Sequence, residues 1–478
     1  MSARRVVVVG YGMAGARLAD EIRLRDPDAE RTEVTVIGAE RHAAYNRVLL
    51  SAVVAGTMTP DSVRLHDADW AITRDVDLRL GVSVLAIDRV ARRVLLSDES
   101  TVEYDALVLA TGSRSWVPPT DGLLTEDGTL APGVVTFRDL DDCAAIVAHA
   151  RPGAPVVVLG GGLLGLEAAR GLVGRGSMVT VVHPVGHLME RQLDPAAGAV
   201  LARTLGALGI DFRLGRLAAR YVPGDGLKLD DGTHVAADLV VVSAGVRADT
   251  DLATSIGLAV DGGVVVDDAL RTSDPRIHAL GDCAAHPEAV SGLVQPAWEQ
   301  AKVLADLLTG TNSAARYRGT PVVTRLKAKG IDLAALGDVH ADLDSTDAEV
   351  LCLNDPVRGR YAKLVIRDER VAGAILLGAP DAAATITQLF DAGTPAPTDR
   401  LGLLLGRLVA ATDSATPVDL PESSVVCRCN MVTKGHIVTA WREGSESVTD
   451  LAAITRATTG CGSCRDAVRG IADWLAKT

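Results

Sequence analysis

The sequence predicts an α/β protein with two parallel-sheet domains, a third α/β domain and a small helical domain at the C-terminus. Two strand–glycine–helix units, at residues 6–22 and 156–172, share one layout, and further strands follow at 33–37 and 178–182. Because strands that alternate with helices form parallel sheets, both units are typical of Rossmann-like dinucleotide-binding domains. Four cysteines crowd the last 52 residues and mark the separate C-terminal domain.

Length, charge and cysteine content narrow the class of protein. The chain has 478 residues, too many for one hydrophobic core, so several domains are expected. A net charge of −13 argues against a nucleic-acid or anionic-membrane surface. The sequence shows no signal peptide and no apolar run of about 18 residues that could span a bilayer. Seven cysteines, an odd number, do not form a secreted disulfide framework, so we expect a cytoplasmic protein.

The rest of the chain divides by composition. Residues 321–410 predict an α/β domain, with strands at 349–353, 361–366 and 371–377 and a helix at 382–391. Residues 411–424 are rich in Thr, Ser, Pro and Asp and predict a linker. The cysteine domain then occupies residues 425–478.

The first glycine motif is Gly10-Tyr-Gly12-Met-Ala-Gly15, placed between a strand and a helix. Gly10 permits the tight turn, Gly12 allows close approach of a pyrophosphate, and Gly15 allows the helix to contact the strand. Glu40 follows the second strand and could accept a hydrogen bond from a ribose 2′-hydroxyl. Strand, helix and acid in this order predict dinucleotide binding, although the motif by itself could be a structural turn.

The second motif is Gly160-Gly-Gly162-Leu-Leu-Gly165, followed by Glu167. Its second strand ends at His183 instead of an acid. A neutral histidine neither strongly holds a ribose nor strongly repels a 2′-phosphate, and no arginine cluster is adjacent. We therefore expect NADH to be favoured, with NADPH as the alternative, and His183 could equally be a solvated loop residue.

Four connecting motifs resemble the pyridine nucleotide–disulfide oxidoreductase superfamily, in the branch of nitrite reductase large subunits and rubredoxin or ferredoxin reductases. They are Tyr45-Asn-Arg47-Val-Leu-Leu-Ser51, Ala110-Thr111-Gly112, Gly281-Asp282 and Gln295-Pro-Ala-Trp298-Glu-Gln300. The resemblance covers about residues 4–395. It implies that FAD occupies the first glycine motif, in a discontinuous domain at residues 1–115 and 236–320. It implies NAD(P)H in an inserted domain at 116–235.

The same resemblance assigns roles to individual residues. Arg47 would lie along FAD, and Asp282 would contact the flavin ribityl region. Glu167 would sit near the nicotinamide, and Trp298 would be either a flavin neighbour or a core aromatic. The pattern adds these residues to the cofactor sites: Ala110, Thr111, Gly112, Gly245 and Gly281.

The disulfide-reducing branch of this superfamily carries a close cysteine pair beside the flavin. Here Cys143, Cys283 and Cys352 stand far apart in sequence, so a substrate-disulfide mechanism is not expected. We predict that each is a small buried hydrophobic residue. Electrons must then leave the flavin by another route.

The C-terminal cysteines provide that route. Cys427-Arg-Cys429 is followed by 31 residues and then by Cys461-Gly-Ser-Cys464. Four thiolates suit a [2Fe–2S] cluster, and a structural zinc site is the alternative. Zinc ribbons usually use two C-x2-C pairs, so the tighter C-x-C pair favours iron–sulfur. The flanking sequence is similar to bacterioferritin-associated-ferredoxin-like [2Fe–2S] domains, and His436 is expected to be a helix-face residue.

The order of domains implies an electron path. Nitrite reductase large subunits continue into sirohaem and [4Fe–4S] domains, whereas this sequence ends at Thr478. It resembles electron-transfer subunits of assimilatory nitrate reductases, which implies hydride transfer from NADH to FAD and then single electrons to the [2Fe–2S] cluster. The expected acceptor is a separate molybdenum nitrate reductase subunit or a sirohaem nitrite reductase subunit. Residues 321–410 also resemble a dimerisation region, which would allow a homodimer.

Two other functions remain open at this point. The chain could reduce a small carrier such as a rubredoxin, a ferredoxin or bacterioferritin. It could instead be a redox or metal sensor whose cysteine domain controls binding to another protein, although intact cofactor motifs argue against this.

Overall fold

The computed structural model describes residues 3–287, 292–407, 420–422, 424–427, 430, 432–459 and 464–477. The chain divides into two structural units. Unit one contains Met1–Pro184 and Gly215–Val322, and unit two contains Val185–Leu214 and Val323–Thr478.

The first sheet of unit one has five parallel strands. Their order across the sheet is Ile277–Ala279, Ala106–Leu109, Arg4–Val9, Thr32–Gly38 and Val76–Leu80. The strand Arg4–Val9 ends in four consecutive buried valines, as expected for a strand that is covered on both faces. Helix Met13–Arg25 follows it directly and packs beside helix Val294–Thr309.

The second sheet of unit one is also parallel and is built from the middle of the chain. Its strands lie in the order Met178–His183, Pro155–Leu159, Leu239–Val242 and Val134–Thr136. Helix Leu163–Gly174 follows strand Pro155–Leu159, just as Met13–Arg25 follows the central strand of the first sheet. The chain leaves the first sheet and returns to it through an antiparallel ribbon, in which Ser113–Ser115 pairs with Val246–Ala248.

Smaller elements complete unit one. Two small antiparallel sheets have three strands each. One contains Val84–Asp88, Arg93–Leu96 and Thr101–Glu103. The other contains Ala218–Val222, Gly226–Leu229 and His234–Ala236. A short parallel pair joins Val264–Val265 to Ala284–Ala285. The remaining helices are Leu50–Val54, Trp70–Thr73, Leu140–His149 and Asp251–Ser255.

Unit two contains a five-stranded antiparallel sheet. Its strands lie in the order Val323–Arg325, Leu333–Gly337, Arg370–Leu377, Arg360–Arg367 and Glu349–Asp355. Helix Pro380–Ala392 packs on this sheet, and the three strands and one helix predicted for this region are therefore confirmed. Unit two also includes helices Pro195–Ala207 and Arg400–Leu404 and strand Ile210–Leu214.

The C-terminal cysteine module is mainly helical, as predicted. A short strand pair, Val425–Cys427 with Val432–Thr433, precedes helices Lys434–Arg442, Val448–Thr455 and Arg465–Leu475. Their apolar side chains form one small buried core. His436 takes part in the cap of the first helix, where its backbone N–H donates to the Thr433 hydroxyl at 3.2 Å. This confirms a structural role on the helix.

None of the helices in the described parts of the chain combines the length and the apolar character needed to cross a membrane.

Cys352 is exposed, so the prediction that it is buried is wrong, whereas Cys143 and Cys283 are buried as expected. The reason is that Cys352 lies on Glu349–Asp355, an edge strand of the unit-two sheet whose side chains alternate between the two faces. Most of the predicted linker, residues 411–419 and 423, lies outside the described residues.

A buried polar cluster in unit two holds helix Pro195–Ala207 against the antiparallel sheet. Asp194 caps this helix through the Ala197 N–H at 2.9 Å. It also accepts hydrogen bonds from the Tyr361 hydroxyl at 2.6 Å and from the buried Lys363 ammonium at 3.2 Å. Burial alone would raise the pKa of Asp194, but these three donors together hold it below its ordinary value.

Replacing Asp194 with asparagine is therefore expected to destabilise unit two by about 2–3 kcal/mol at neutral pH, because Lys363 loses its charged acceptor. A depressed carboxyl pKa contributes stability above the unfolded pKa of Asp, and this contribution is lost as the pH falls through the folded pKa. The difference between wild type and Asp194→Asn in urea unfolding should accordingly shrink below about pH 4. A difference that stays constant down to pH 3 would contradict this account.

Candidate cofactor sites

The first glycine motif forms a tight turn between strand Arg4–Val9 and helix Met13–Arg25. Gly10 has φ of +114°, and a side chain there would overlap the carbonyl oxygen of Ala110 on the neighbouring strand. A side chain at Gly15 would overlap the carbonyl oxygen of Gly10. Only glycine permits this backbone conformation and these two close approaches, so the predicted roles of Gly10 and Gly15 are supported by the geometry.

The space over Gly12 is open, and one cationic side chain borders it. A Cβ atom at Gly12 would meet only the Nε atom of Arg47, at 4.0 Å. Arg47 is held there by an ion pair with Glu40 and by a hydrogen bond from its Nη1 atom to the Arg138 carbonyl at 3.0 Å. The Tyr45 hydroxyl also donates to Glu40, at 2.8 Å.

These features fit the pyrophosphate of a dinucleotide. A helix N-terminus directs backbone N–H groups toward the open space, and the guanidinium of Arg47 supplies positive charge beside it. Glu40 lies two residues after the end of strand Thr32–Gly38, at the position predicted to accept a hydrogen bond from a ribose. In this structure its carboxylate contacts Arg47 and Tyr45.

A second polar group lies at the same carboxyl end of the first sheet's strands, around Asp282. One carboxylate oxygen accepts hydrogen bonds from the Ser113 hydroxyl and from the Arg138 guanidinium, both at 2.8 Å. The other oxygen accepts the Gly292 N–H at 2.9 Å. The adjacent Gly281 has φ of +76°, and its N–H donates to the Gln300 side chain at 2.8 Å.

Arg138 and Ser113 were not singled out in the sequence. Arg138 lies two residues after the end of strand Val134–Thr136, which belongs to the second sheet. Its guanidinium nevertheless contacts Asp282, which follows a strand of the first sheet. A charged residue just after a buried strand is a weak signal that could have identified it. Its partner is 144 residues away in sequence, so only the tertiary structure shows the pairing.

The remaining predicted residues of this region belong to the connection between the two sheets. The Thr111 hydroxyl donates to the Asp249 carbonyl at 2.7 Å, and the Asp249 N–H donates to the Gly112 carbonyl at 2.9 Å. The Gly245 carbonyl accepts the Trp116 N–H at 2.9 Å. Thr111, Gly112 and Gly245 thus fasten the antiparallel ribbon, and their direct contact with a cofactor stays a prediction.

The second glycine motif repeats the first. Gly160 has φ of +125°, and a side chain there would overlap the carbonyl oxygen of Ser243, while a side chain at Gly165 would overlap that of Gly160. A Cβ atom at Gly162 would meet nothing within 4 Å. The open space over Gly162 at the N-terminus of helix Leu163–Gly174 fits a second pyrophosphate.

His183 lies beneath this second turn. It is the last residue of strand Met178–His183 and is 5% exposed, so the alternative that it is a solvated loop residue is wrong. Its Nδ1 atom accepts the N–H of Gly161 at 3.0 Å. The ring therefore supports the glycine turn from within, and contact with a bound ribose remains a prediction.

Glu167 is buried where helix Leu163–Gly174 contacts helix Leu50–Val54. It is 4% exposed, and its carboxylate accepts a hydrogen bond from the Ser51 hydroxyl at 2.7 Å. The two helices, Leu50–Val54 and Leu163–Gly174, come close because a glycine in the second faces the first: a Cβ at Gly171 would lie 3.3 Å from Ala55. Ser51 is the last residue of the motif that begins at Tyr45, and no role in the cofactor site was predicted for it.

In the cysteine module, the structure describes two of the four predicted ligands. Cys427 and Cys464 lie in one buried core of the module, 2% and 6% exposed. Cys429 and Cys461 lie outside the described residues. Two buried sulfur atoms, one at the end of strand Val425–Cys427 and one at the start of helix Arg465–Leu475, fit a cysteine-bound cluster.

Residues 4–301 match the family described as pyridine nucleotide-disulphide oxidoreductase. The chain belongs to this family. Members of the family bind FAD and NAD(P)H, so membership shows these two cofactors. This agrees with the two glycine turns, Gly10–Gly15 (the first cradle) and Gly160–Gly165 (the second cradle). Residues 322–394 match the rubredoxin NAD+ reductase C-terminal domain, and residues 425–474 match the BFD-like [2Fe-2S] binding domain. The last match shows the third cofactor, a [2Fe–2S] cluster.

Curated relatives match the chain from end to end. It is 35% identical to a nitrite reductase [NAD(P)H] of Bacillus subtilis (strain 168) over 98% of this chain and 58% of that protein. It is 33% identical to an assimilatory nitrate reductase electron transfer subunit of the same organism, over 99% of this chain and 60% of that protein. The chain thus spans about three fifths of the length of these relatives.

A solved structure of a covalent putidaredoxin reductase–putidaredoxin complex is similar with a TM-score of 0.72 and 26% identity. The similarity covers 83% of this chain and 94% of that one. The predicted fold class is thereby confirmed: two Rossmann-like domains, a third α/β domain and a small C-terminal [2Fe–2S] domain. The exact domain boundaries stay a prediction.

Trp298 is buried against helix Met13–Arg25, which follows the first glycine motif. It is 3% exposed, its indole N–H donates to the Met13 carbonyl at 3.1 Å, and the Arg17 guanidinium lies 5.3 Å from the ring centroid. These contacts favour the interpretation of Trp298 as a core aromatic that positions the helix, and a catalytic role beside the flavin remains an untested prediction.

Replacing Glu167 with glutamine is expected to slow flavin reduction by NADH about tenfold. The family resemblance predicts that Glu167 lies near the nicotinamide, where its carboxylate would stabilise the positive charge left by hydride transfer, and a tenfold change corresponds to about 1.4 kcal/mol. Ser51→Ala should have a smaller effect, about threefold, because Ser51 acts by orienting Glu167. Stopped-flow absorbance of the flavin measures both rates.

The double variant separates orientation from an independent role. If Ser51 acts only through Glu167, the Ser51→Ala/Glu167→Gln protein should be no slower than Glu167→Gln alone. Fully additive losses would show that the two side chains act independently.

Proposed function

We propose that this chain oxidises NADH and passes the electrons one at a time, through its C-terminal cluster, to a separate nitrate or nitrite reductase catalytic subunit. The observation that carries the proposal is the presence of two dinucleotide cradles and a cluster-binding module in one chain. A dinucleotide pair supplies and accepts hydride, and a [2Fe–2S] centre accepts only single electrons. The names of the curated relatives, which include an electron transfer subunit, support the choice of acceptor.

The first cradle is proposed to hold FAD and the second NADH. When bound, FAD accepts a hydride from NADH and releases its two electrons singly to an acceptor. Gly10, Gly12 and Arg47 would bind the FAD pyrophosphate, and Asp282, fixed by Ser113 and Arg138, would bind farther along FAD. Glu167 would stabilise the charge that develops on the nicotinamide.

NADH is the proposed donor in preference to NADPH. A 2′-phosphate is normally bound by an arginine near the end of the second strand of the cradle. That position is occupied by His183, which is buried and uses Nδ1 to accept the Gly161 N–H. This contact uses the ring to support the glycine turn and not to bind a 2′-phosphate, which supports NADH as the donor.

The four cysteines Cys427, Cys429, Cys461 and Cys464 are proposed to hold the [2Fe–2S] cluster. The match to a [2Fe-2S] binding domain supports iron over zinc, and Cys427 and Cys464 lie in one core of the module. Thiolate donors alone do not distinguish the two metals, so metal analysis is part of the test.

An anaerobic titration of the purified chain with NADH tests the electron path. Flavin bleaching together with a low-temperature EPR signal of a reduced [2Fe–2S] cluster is the expected result, with about two irons per flavin by assay. A parallel titration with NADPH should require much more nucleotide. Flavin bleaching without an iron signal, or zinc in place of iron, would contradict the proposal.

A second experiment identifies the acceptor. With NADH as donor, the chain alone should reduce artificial dyes but neither nitrate nor nitrite, and turnover should appear when a molybdenum nitrate reductase or sirohaem nitrite reductase subunit is added. Fast turnover of nitrate or nitrite by the isolated chain would contradict the need for a separate subunit.

A small electron-carrier protein is the second candidate acceptor. It is favoured by the match of residues 322–394 to the rubredoxin NAD+ reductase C-terminal domain and by the similarity to a reductase solved in complex with putidaredoxin. NADH-linked reduction of rubredoxin or ferredoxin that is much faster than reduction of the catalytic subunits would favour this alternative.

A further inference from the structure

Asn430 connects the two loops that carry the predicted cluster ligands. It directly follows Cys429 in sequence, at the end of the first ligand pair. Its side-chain Nδ2 atom donates to the Arg456 carbonyl at 2.6 Å and to the Thr459 hydroxyl at 3.1 Å. Thr459 lies two residues before Cys461, at the start of the second ligand pair. One amide therefore joins the two halves of the site.

The segment that Asn430 holds has an unfavourable backbone. Arg456 and Thr458 adopt φ of +61° and +68°, the left-handed region that residues with a Cβ atom rarely occupy. Helix Val448–Thr455 ends at Arg456, whose left-handed conformation caps it. The Thr459 hydroxyl also donates to the Arg456 carbonyl, at 2.8 Å, so two donors converge on the carbonyl of the strained turn.

The same amide also faces a ligand. Nδ2 of Asn430 also lies 3.9 Å from the sulfur of Cys427, at the long end of the range for a hydrogen bond to sulfur, so its two N–H groups are shared among three acceptors. Cys427 is 2% exposed, so water does not readily replace this donor. An N–H group directed at a ligand sulfur withdraws negative charge from a cluster, which stabilises its reduced state and raises its reduction potential.

We propose that Asn430 is a positioning residue of the electron-transfer site, which sets the separation of the two cysteine pairs and raises the reduction potential of the [2Fe–2S] cluster. This inference rests on the proposed cluster at Cys427, Cys429, Cys461 and Cys464. A purely structural role would be to cap the turn at Arg456, and such a role would change the stability of the module but not the potential of its cluster.

The test uses the full-length chain carrying its cluster, with potentiometric titration followed by EPR. Asn430→Ala and Asn430→Asp should both lower the midpoint potential. The larger decrease is expected for Asn430→Asp, because a carboxylate cannot donate to the sulfur and adds negative charge beside it. Both should also shift the EPR g-values and the visible circular dichroism of the cluster.

Two further variants separate the two parts of the role. Thr459→Val removes one partner of the Asn430 amide but leaves the amide beside Cys427, so it should speed cluster loss to a chelator while the potential stays close to wild type. Asn430→Gln keeps an amide donor and should retain the cluster with an intermediate potential, which allows a measurement even if Asn430→Ala does not hold iron.

Ser447→Ala is the matched control. Ser447 caps helix Val448–Thr455 of the same module through the Asp450 N–H at 3.1 Å, so its loss should lower thermal stability without moving the potential. Equal shifts in Ser447→Ala and Asn430→Ala, or wild-type potentials in all Asn430 variants, would overturn the inference. A wild-type chain without iron would instead contradict the proposed function, and with it the cluster on which this inference depends.

Discussion

Replacing Gly160 with alanine is expected to raise the KM for NADH at least about 100-fold while FAD remains bound. Alanine disfavours the φ of +125° that this position requires, by about 1–2 kcal/mol, and its Cβ would overlap the Ser243 carbonyl oxygen. Backbone on both sides cannot move without displacing the N-terminus of helix Leu163–Gly174, where the pyrophosphate is proposed to bind. A 100-fold loss corresponds to about 2.7 kcal/mol, within the sum of these costs.

The same substitution in the first cradle should have the opposite pattern. Gly10→Ala places a Cβ against the Ala110 carbonyl oxygen at a φ of +114°, and it should give a chain that is purified with little or no FAD. NADH binding to the second cradle, measured by calorimetry, should persist. The two variants differ only in which cradle they disturb, so together they test which cofactor each cradle binds.

Gly232→Ala controls for the backbone cost alone. Gly232 also has a positive φ, +85°, but it lies in a turn of the small antiparallel sheet where an added Cβ would meet nothing within 4 Å. It should keep both cofactors with near-normal KM. Loss of FAD in Gly160→Ala with retention in Gly10→Ala would show that the assignment of the cradles is reversed.

Replacing Cys464 with serine is expected to lower electron transfer to an added nitrate reductase subunit more than about 100-fold. A serine oxygen is a much poorer ligand for cluster iron than a thiolate, so the iron content should fall with it. Reduction of the flavin by NADH should continue at nearly the wild-type rate, because both cradles lie in unit one and Cys464 in unit two. Iron assay, EPR and stopped-flow flavin absorbance measure the three quantities separately.

Cys352→Ser is the matched control for that experiment. Cys352 is exposed on an edge strand of the antiparallel sheet and outside the cysteine module, so this variant should keep iron, cluster signal and electron transfer. Full electron transfer to the catalytic subunit by an iron-free Cys464→Ser protein would show that the flavin reduces its acceptor directly.

Local sequence was enough to predict much of this protein. The two glycine cradles were predictable because a turn between a buried strand and a helix, with a positive φ and a close backbone contact, can be built only with glycine at these spacings. The strands and helix of residues 349–392 were predictable because their apolar residues recur with the period of the element, whereas the helical cysteine module was predicted from its resemblance to a [2Fe–2S] domain family.

The side-chain partnerships were decided by the tertiary structure. Ser51 and Glu167 are 116 residues apart, and Arg138 and Asp282 are 144 apart, and neither spacing reveals that two domains bring them together. His183 could have faced solvent or the cofactor, and it turned inward because the Gly161 N–H needed an acceptor in a buried turn. Trp298 was equally ambiguous in sequence, and the contact of its N–H with the Met13 carbonyl appears only in the tertiary structure. Periodicity and spacing determine which backbone a segment forms, whereas a hydrogen bond between distant side chains exists only after the sheets and helices have packed.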